Sequence, residues 1–484
     1  MISDYSRQAL LLMILVLPLC GFVTKPSSAR EPVVESSHQK FIPTFAVKYG
    51  GTGGWPALED AARFDALLMG AGTSLAQADR SVPGNTWQVL KTLNPGLVML
   101  LYEIGPGEYN TASWGRIGQG WEWITNQHGP GSADRWTAVG AKSGHCLQGE
   151  SYGNERLMIP GNPAWQQYWL DNVFAKDWGD SAKATAIADG IFSDNTSYAM
   201  PYVGGWYAQG HADTPDVPSD YYSGDQYNVA LYHRQMKSFF ARALPWLAAR
   251  QLKLALNFGD MDRRPADWAE LDNEPDAPFA AMEEGAFVHP WGGKGSFVFR
   301  SEAEWFKQVQ VMRSLKHVRA LMNVHGPLAG DAKGVDRMNA RDAAGNRAWD
   351  VLWYAMMSFL QGLNQDRSNA YMNFTVWSYT EFYWLREFDP RYLDLGHARG
   401  ESIRIDGPHG HVYAREFDDG WAVVNPTPSS ATWVAVPQGE ARIIDHDSLQ
   451  RPDASPLVRQ FDLPAHRGVV LLKAGRAIGN SDNP

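Results

Sequence analysis

Eight short apolar runs, separated by seven helix-like or loop-like segments, constrain this chain more than any other feature. The runs are residues 41–49, 64–69, 97–104, 184–194, 252–258, 279–288, 319–324 and 371–377. Helical patterns at 162–175, 226–250, 302–315 and 349–363 fall between them. This alternation is the pattern of βα units wound around a parallel sheet. The helix near 162 opens on Asn162 followed by Pro163, a capping side chain and then a residue that needs no N–H in the first turn. Eight repeats are what a closed barrel requires. An open doubly wound sheet would carry a spaced glycine fingerprint after its first strand. Gly50-Gly51-Thr52-Gly53-Gly54 lacks that spacing and reads as a flexible loop. The expected fold class is therefore α/β, a (β/α)8 TIM barrel.

Beyond residue 399 the pattern changes to short strands (402–405, 411–417, 421–425, 432–436, 441–445, 468–473) separated by Gly-Pro, Asp-Asp-Gly and Pro-Thr-Pro turns. A small all-β sandwich is expected there. The N-terminus carries an apolar stretch, 9–23, broken by Pro18 and Gly21 and followed by Ser27-Ser28-Ala29. It is short for a membrane span and has the features of a secretory signal cut after Ala29, with an uncleaved anchor as the alternative. The organisation expected is thus signal peptide 1–29, barrel 30–398, and β-sandwich with tail 399–484. The product would be secreted or periplasmic, with no membrane association after cleavage. Cys20 leaves with the signal, so Cys146 has no partner for a disulfide and stability must come from the core.

Of the 484 residues, 44% are hydrophobic, enough for a large core, and the formal charge is -10 with no basic run. That excludes a phosphate-binding footprint, so nucleic acid is not an expected partner. The 20 tryptophans include Trp114, Trp121, Trp123 and Trp136 in loop-like stretches. Flat aromatic faces suit sugar rings, although most such rings simply pack. The long stretches 105–161 and 196–225 have no evident secondary structure. In a barrel they rise from the C-terminal face, where active sites lie.

Within Ala188-Asp189-Gly190-Ile191-Phe192-Ser193-Asp194-Asn195, alternation puts Asp194 at the strand end on the side of Phe192 and Gly190, opposite Asp189. Asp194 is the catalytic candidate, and capping of its own turn is the plainer alternative. Asp189 lies earlier in the strand, where pairing with a basic or backbone group competes with substrate binding. Glu283 and Glu284 are adjacent carboxylates in an apolar run, costly to bury without a function. Glu284, nearer the C-terminal end, is the second catalytic candidate, with a solvated helix end as the alternative. Candidate substrate-binding residues are Lys48, Tyr49, Glu103, Asp189, Asn195, Asn257, Glu283, Asn323, His325, Trp377 and Glu381, with Asp260 beside Asn257. Such residues recur in or after several different runs, as polar groups of a barrel site do.

No G-x-S-x-G, H-E-x-x-H, Walker or EF-hand motif is present, and no spacing points to a metal or cofactor. Two carboxylates in an exported, aromatic-rich barrel point to cleavage of glycosidic bonds in a polysaccharide or glycan. The alternatives are a non-catalytic carbohydrate-binding protein, a polysaccharide lyase or a deacetylase. Nothing in the sequence sets an oligomeric state.

The segments AIADGIFSDN, EEGAF and YMNFTVWSYTEFYW, followed by YLDLG and VYAREFDDGWAVVNPT, resemble the bacterial hypothetical glycosyl hydrolase family 15. The resemblance runs through most of the chain after residue 29. It implies a barrel followed by a β-sandwich, a polysaccharide substrate, Asp194 as nucleophile or base and Glu284 as acid. Ser193 departs from the pattern, which has a large apolar residue before the aspartate.

Overall fold

The computed structural model describes residues 40–478 apart from 49–56, 71–85, 109–120, 150–154, 173–187, 201–204, 210–214, 224–225, 328–333, 377–378, 380, 438 and 477. Residues 1–29, expected to be a signal peptide, the 50–54 glycine loop, Tyr49, Trp114 and Trp377 lie outside the described residues.

Eight strands form one parallel sheet in chain order: β1 (Phe45–Lys48), β2 (Ala66–Met69), β3 (Val98–Ile104), β4 (Gly190–Asp194), β5 (Lys253–Asn257), β6 (Ala280–Glu284), β7 (Arg319–His325) and β8 (Ala370–Thr375). A parallel bridge between Thr44 and Met372 and a 2.9 Å bond from the Met372 N–H to the Pro43 carbonyl close β8 onto β1. The expected (β/α)8 barrel is the observed fold. Among the described residues, helices α1 (Leu58–Ala61), α2 (Thr86–Leu93), α3 (Pro163–Asn172), α4 (Val229–Ala248), α5 (Pro265–Asp272), α6 (Glu302–Ser314) and α7 (Ala348–Gly362) lie between the strands, and a further helix, Trp121–His128, sits in the long segment between β3 and β4. After β8 the chain runs on to the C-terminal β region.

Strand alternation sorts the side chains into two cores. Phe45, Val47, Ala66, Leu68, Leu100, Phe192, Ala255, Ala280, Met282 and Leu321 fill the barrel interior. Residues of opposite parity, such as Ala46, Leu67, Ile191, Leu256 and Ala281, pack outward in the cluster shared with the helices. Gly190 is required where β4 meets β5, because a Cβ there would collide with the Lys253 carbonyl. The helix starts follow sequence chemistry. Asn162 Oδ1 accepts the N–H groups of Ala164 and Trp165 at 2.8 and 3.1 Å, as read from the Asn-Pro pair. Ser301 and Glu304 form a reciprocal capping box on α6.

The stretches 105–161 and 196–225, read from sequence as structureless, instead contain a five-stranded antiparallel sheet. Its order is Gly107–Glu108, Arg156–Leu157, Leu147–Gly149, Trp206–Ala208, Pro215–Asp216. Strands of two or three residues are too short to show alternation, which is why they escape a periodicity reading.

The C-terminal region is all-β: β9 (Ile403–Asp406), β10 (His411–Glu416), β11 (Gly420–Asn425), β12 (Ala431–Ala435), β13 (Ala441–Ile444), β14 (Leu457–Val458), β15 (Gln460–Leu463) and β16 (Arg467–Lys473). A six-stranded sheet, β9-β10-β11-β16-β13-β14, faces the β12-β15 pair. Val412, Trp421, Val423, Val434, Phe461 and Leu471 fill the space between them. The outer face of the larger sheet covers α7, so this helix is buried on every side. That explains its apolar character around the whole circumference. No described helix is long and apolar enough to cross a membrane.

Candidate active site

Inward parity carries one residue from the C-terminal end of each of several strands into the barrel mouth. Asp194 ends β4, Asn257 ends β5 and Glu284 ends β6. Glu284, Asn323 of β7 and Asn373 of β8 stand at the same level of the sheet. One β3 residue joins them, Tyr102, which pairs with Phe192 two residues before Asp194.

These side chains form one hydrogen-bonded array. The Asn257 amide nitrogen lies 2.8 Å from Asp194 Oδ1 and 3.1 Å from Glu284 Oε2, donating to both carboxylates. Two oxygens bonded to one nitrogen at those lengths stand no more than about 6 Å apart. The Tyr102 hydroxyl donates to Asp194 Oδ2 at 2.6 Å, and the Asn195 N–H donates to Oδ1 at 2.9 Å. On the other side, the Tyr379 hydroxyl donates to Glu284 Oε1 at 2.7 Å and accepts the Asn323 amide at 2.5 Å. Asn323 Oδ1 in turn accepts from Asn373 at 2.8 Å.

The two carboxyls differ in surroundings. Three donors from Tyr102, Asn257 and Asn195 converge on Asp194. Burial pushes the Glu284 carboxyl above the usual range and the Asp194 charge pushes it further, against the bonds from Tyr379 and Asn257. Glu284 thus keeps its proton more readily than an ordinary glutamate. The rim beside it carries aromatic rings. His325 packs between Tyr379 and Trp291, with ring centroids 4.9 and 5.9 Å away. Burial lowers the His325 pKa to about 4, so its imidazole is neutral at pH 7. Trp291 is 49% exposed, and it folds back over Gly285, where a Cβ would come within 2.5 Å of the indole.

The sequence candidates thus divide. Asp194, Asn195, Asn257, Glu284, Asn323 and His325 come together at the mouth. Asp189 sits at the opposite end of β4, where it accepts the Met99 N–H at 2.8 Å and pairs with Lys91 at 2.6 Å; the strand direction removes it from the cleft. Glu283 points outward, taking the Met261 N–H at 2.7 Å with Arg300 and Gln308 each 3.4 Å away. Burial raises its pKa to about 8. Opposite parity to Glu284 is the reason, and it makes Glu283 a structural carboxylate. Glu103 is buried with the same outward parity, next to Tyr102. Lys48 is buried at the end of β1, which lowers its pKa to about 8, and the Glu381 charge acts on it across the β8–β1 seam. Asp260 lies on the surface near Arg263.

Four residues escaped the sequence reading: Tyr102, Tyr379 and Asn373 of the array, and Glu155, whose Oε2 accepts the Asn195 side-chain amide at 2.9 Å. Tyr102 and Asn373 were open to detection by alternation, two residues from Leu100 and Tyr371 respectively. Tyr379 and Glu155 lie outside the strands, where no periodicity marks them. Among the described residues no cluster of three metal-ligating side chains occurs.

No protein-family model matches the chain, and no curated protein matches it in sequence. Among solved structures it is similar to a variant of the glycoside hydrolase domain of PelA from Pseudomonas aeruginosa, at 12% identity and TM-score 0.40, covering 70% of this chain and 97% of that one. It is also similar to the trehalulose synthase MutB from Pseudomonas mesoacidophila MX-45, at 10% identity and TM-score 0.43, covering 89% and 98%. A third is the GH53 catalytic domain from Ignisphaera aggregans, at 10% identity and TM-score 0.33, covering 70% and 86%. Likeness at this level carries no functional argument, which rests on the site itself.

Proposed function

We propose that the chain is an exported glycoside hydrolase acting on a polysaccharide or glycan with retention of anomeric configuration, Asp194 serving as nucleophile and Glu284 as acid and then base. The observation that carries this reading is the shared Asn257 amide, which holds one oxygen of each carboxylate within about 6 Å of the other. Retaining glycosidases set their carboxyl groups about 5–5.5 Å apart, whereas inverting ones leave about 6.5–9.5 Å for a water. The resemblance to hypothetical glycosyl hydrolase family 15 points to the same pair of residues.

In the first step an Asp194 oxygen bonds to the anomeric carbon while the glycosidic C–O bond breaks, and the Glu284 proton passes to the leaving oxygen. In the second, water attacks the same carbon, Glu284 takes a proton from it, and the Asp194 carboxylate leaves. The site's electrostatics fit the exchange of roles. Forming the glycosyl ester removes the negative charge of Asp194, and with it one of the two causes that raise the Glu284 pKa, so Glu284 becomes free to act as a base. Trp291 offers an aromatic face beside Glu284 for the sugar on one side of the scissile bond.

Reducing ends released from a panel of bacterial and plant polysaccharides test the reading, comparing the protein with Asp194→Asn and Glu284→Gln. Loss of several powers of ten in both variants is expected. Full activity in either would remove that residue from the chemistry. Unsaturated products absorbing in the ultraviolet, released acetate, or binding without turnover would replace hydrolysis by a lyase, a deacetylase or a carbohydrate-binding function.

A further inference from the structure

A third carboxyl stands behind the site. Glu155, in the excursion between β3 and β4, is fully buried. Its Oε2 accepts the Asn195 side-chain amide at 2.9 Å, and its Oε1 has no hydrogen-bond partner among the described residues. Gly107 lets it lodge there, and Gly105 leaves room for the turn at 194–196. A Cβ on Gly107 would come within 2.5 Å of Glu155 Oε1, and one on Gly105 would collide with the Thr196 hydroxyl. Asn195 itself has φ +50°, left-handed for a residue with a side chain. Asn tolerates that region better than most residues, but it still needs support. The support has a visible result: in this conformation the Asn195 N–H points at Asp194 Oδ1.

We propose that Glu155 is a positioning residue for Asp194: by holding the Asn195 side chain it fixes the left-handed turn that aims the Asn195 N–H at the Asp194 carboxylate. The proposal rests on Asp194 being a reacting group. The charge state of Glu155 is consistent with this arrangement. Burial and then the Asp194 charge raise its pKa to about 8, against the Asn195 bond. The ionisable groups acting on it or acted on by it among the described residues are Asp194 and the buried Tyr232, neither of them a cation. At neutral pH Glu155 is therefore a neutral acid. It holds the turn without adding a second negative charge beside the nucleophile.

Residue-resolved amide hydrogen exchange of the full chain tests this without a substrate. In Glu155→Ala the Asn195 N–H is expected to lose protection by about tenfold or more while β5 amides keep theirs. Glu155→Gln, which preserves the acceptor and the neutral charge, is expected to stay within about threefold of the parent protein. In an Asn195→Gly background the backbone adopts φ > 0 unaided. Glu155→Ala should then change nothing further at position 195. Unchanged protection in Glu155→Ala, or equal loss in the Gln and Ala variants, would overturn the proposal.

The kinetic counterpart, on whichever polysaccharide of the panel is cleaved, is a kcat for Glu155→Ala lowered about 10- to 100-fold with KM within about threefold. Glu155→Gln should keep its kcat up to higher pH than the parent, because the charge that develops near pH 8 is gone. A KM effect alone would contradict positioning. An active Asp194→Asn variant would instead sink the function assigned to the site, leaving the exchange result to stand by itself.

Discussion

At the scale of single residues, the chemistry is set by which carboxyls are desolvated and by what faces them. Tyr379 donates to Glu284 and so favours its ionised form. Removing the hydroxyl in Tyr379→Phe should raise the Glu284 pKa further and move the alkaline limb of the kcat/KM profile to higher pH. A limb that moves to lower pH would contradict the assignment of Glu284 as the acid. Stability should also depend on pH through two buried carboxyls outside the reacting pair. Glu155 and Glu283 each have a pKa raised to about 8, so the folded state binds protons that the unfolded chain has released. Their contribution is full below the ordinary carboxyl range and is lost as pH rises from about 5 to about 8. Chemical denaturation at a series of pH values should show a shallower decline across that window for Glu155→Gln and Glu283→Gln than for the parent.

At the scale of elements, strand parity decides which side chains reach the mouth, and this explains what the sequence could reveal. Asp194 was legible because it ends an apolar run with the parity of a barrel-lining residue, and Glu284 because it lies nearer than Glu283 to the C-terminal end of its strand. Asp189 and Glu283 share those runs but have the opposite parity, and they are bound to backbone and basic groups outside the cleft. Tyr379 was not legible, because it sits past the end of β8 with φ +58°, a loop conformation that apolar periodicity cannot signal. The excursion sheet and Glu155 were hidden for the same reason: its strands are two or three residues long, and glycines rather than a hydrophobic pattern make them fit. The helices follow local rules more directly. Ser301→Ala removes the hydroxyl that caps α6 and should cost about 1 kcal/mol by denaturant titration, with activity retained. No change in stability would mean that the cap is replaced by solvent at no cost.

At the scale of the whole molecule, α7 is the shared wall between barrel and β region. Gln361 of α7 donates to the Ala422 carbonyl of β11 at 3.0 Å, and Arg415 of β10 donates to the carbonyls of Leu360 and Leu363. Gly468 of β16 lets the sheet approach closely, since a Cβ there would sit 2.6 Å from the Trp353 carbonyl. His446 stacks on Trp349 at 3.9 Å and pairs with the buried Glu387 at 2.7 Å. An interface this apolar and interlocked should make the two parts unfold together. A single calorimetric transition is expected for the full chain, and a chain ending before β9 should expose α7 and aggregate. Two separate transitions would show that each part is stable alone.

The central claim, that Asp194 and Glu284 act as a close-set pair through a glycosyl ester, is tested most directly by the anomeric configuration of the first product. Proton NMR taken in the first minutes of digestion, before mutarotation, reads it on any polysaccharide of the panel that is cleaved. Retention is the expected result, with the new reducing end first appearing in the same configuration as the bond that was cut. A first product of inverted configuration would contradict it, since inversion needs a water between the carboxylates, where the Asn257 amide now joins them.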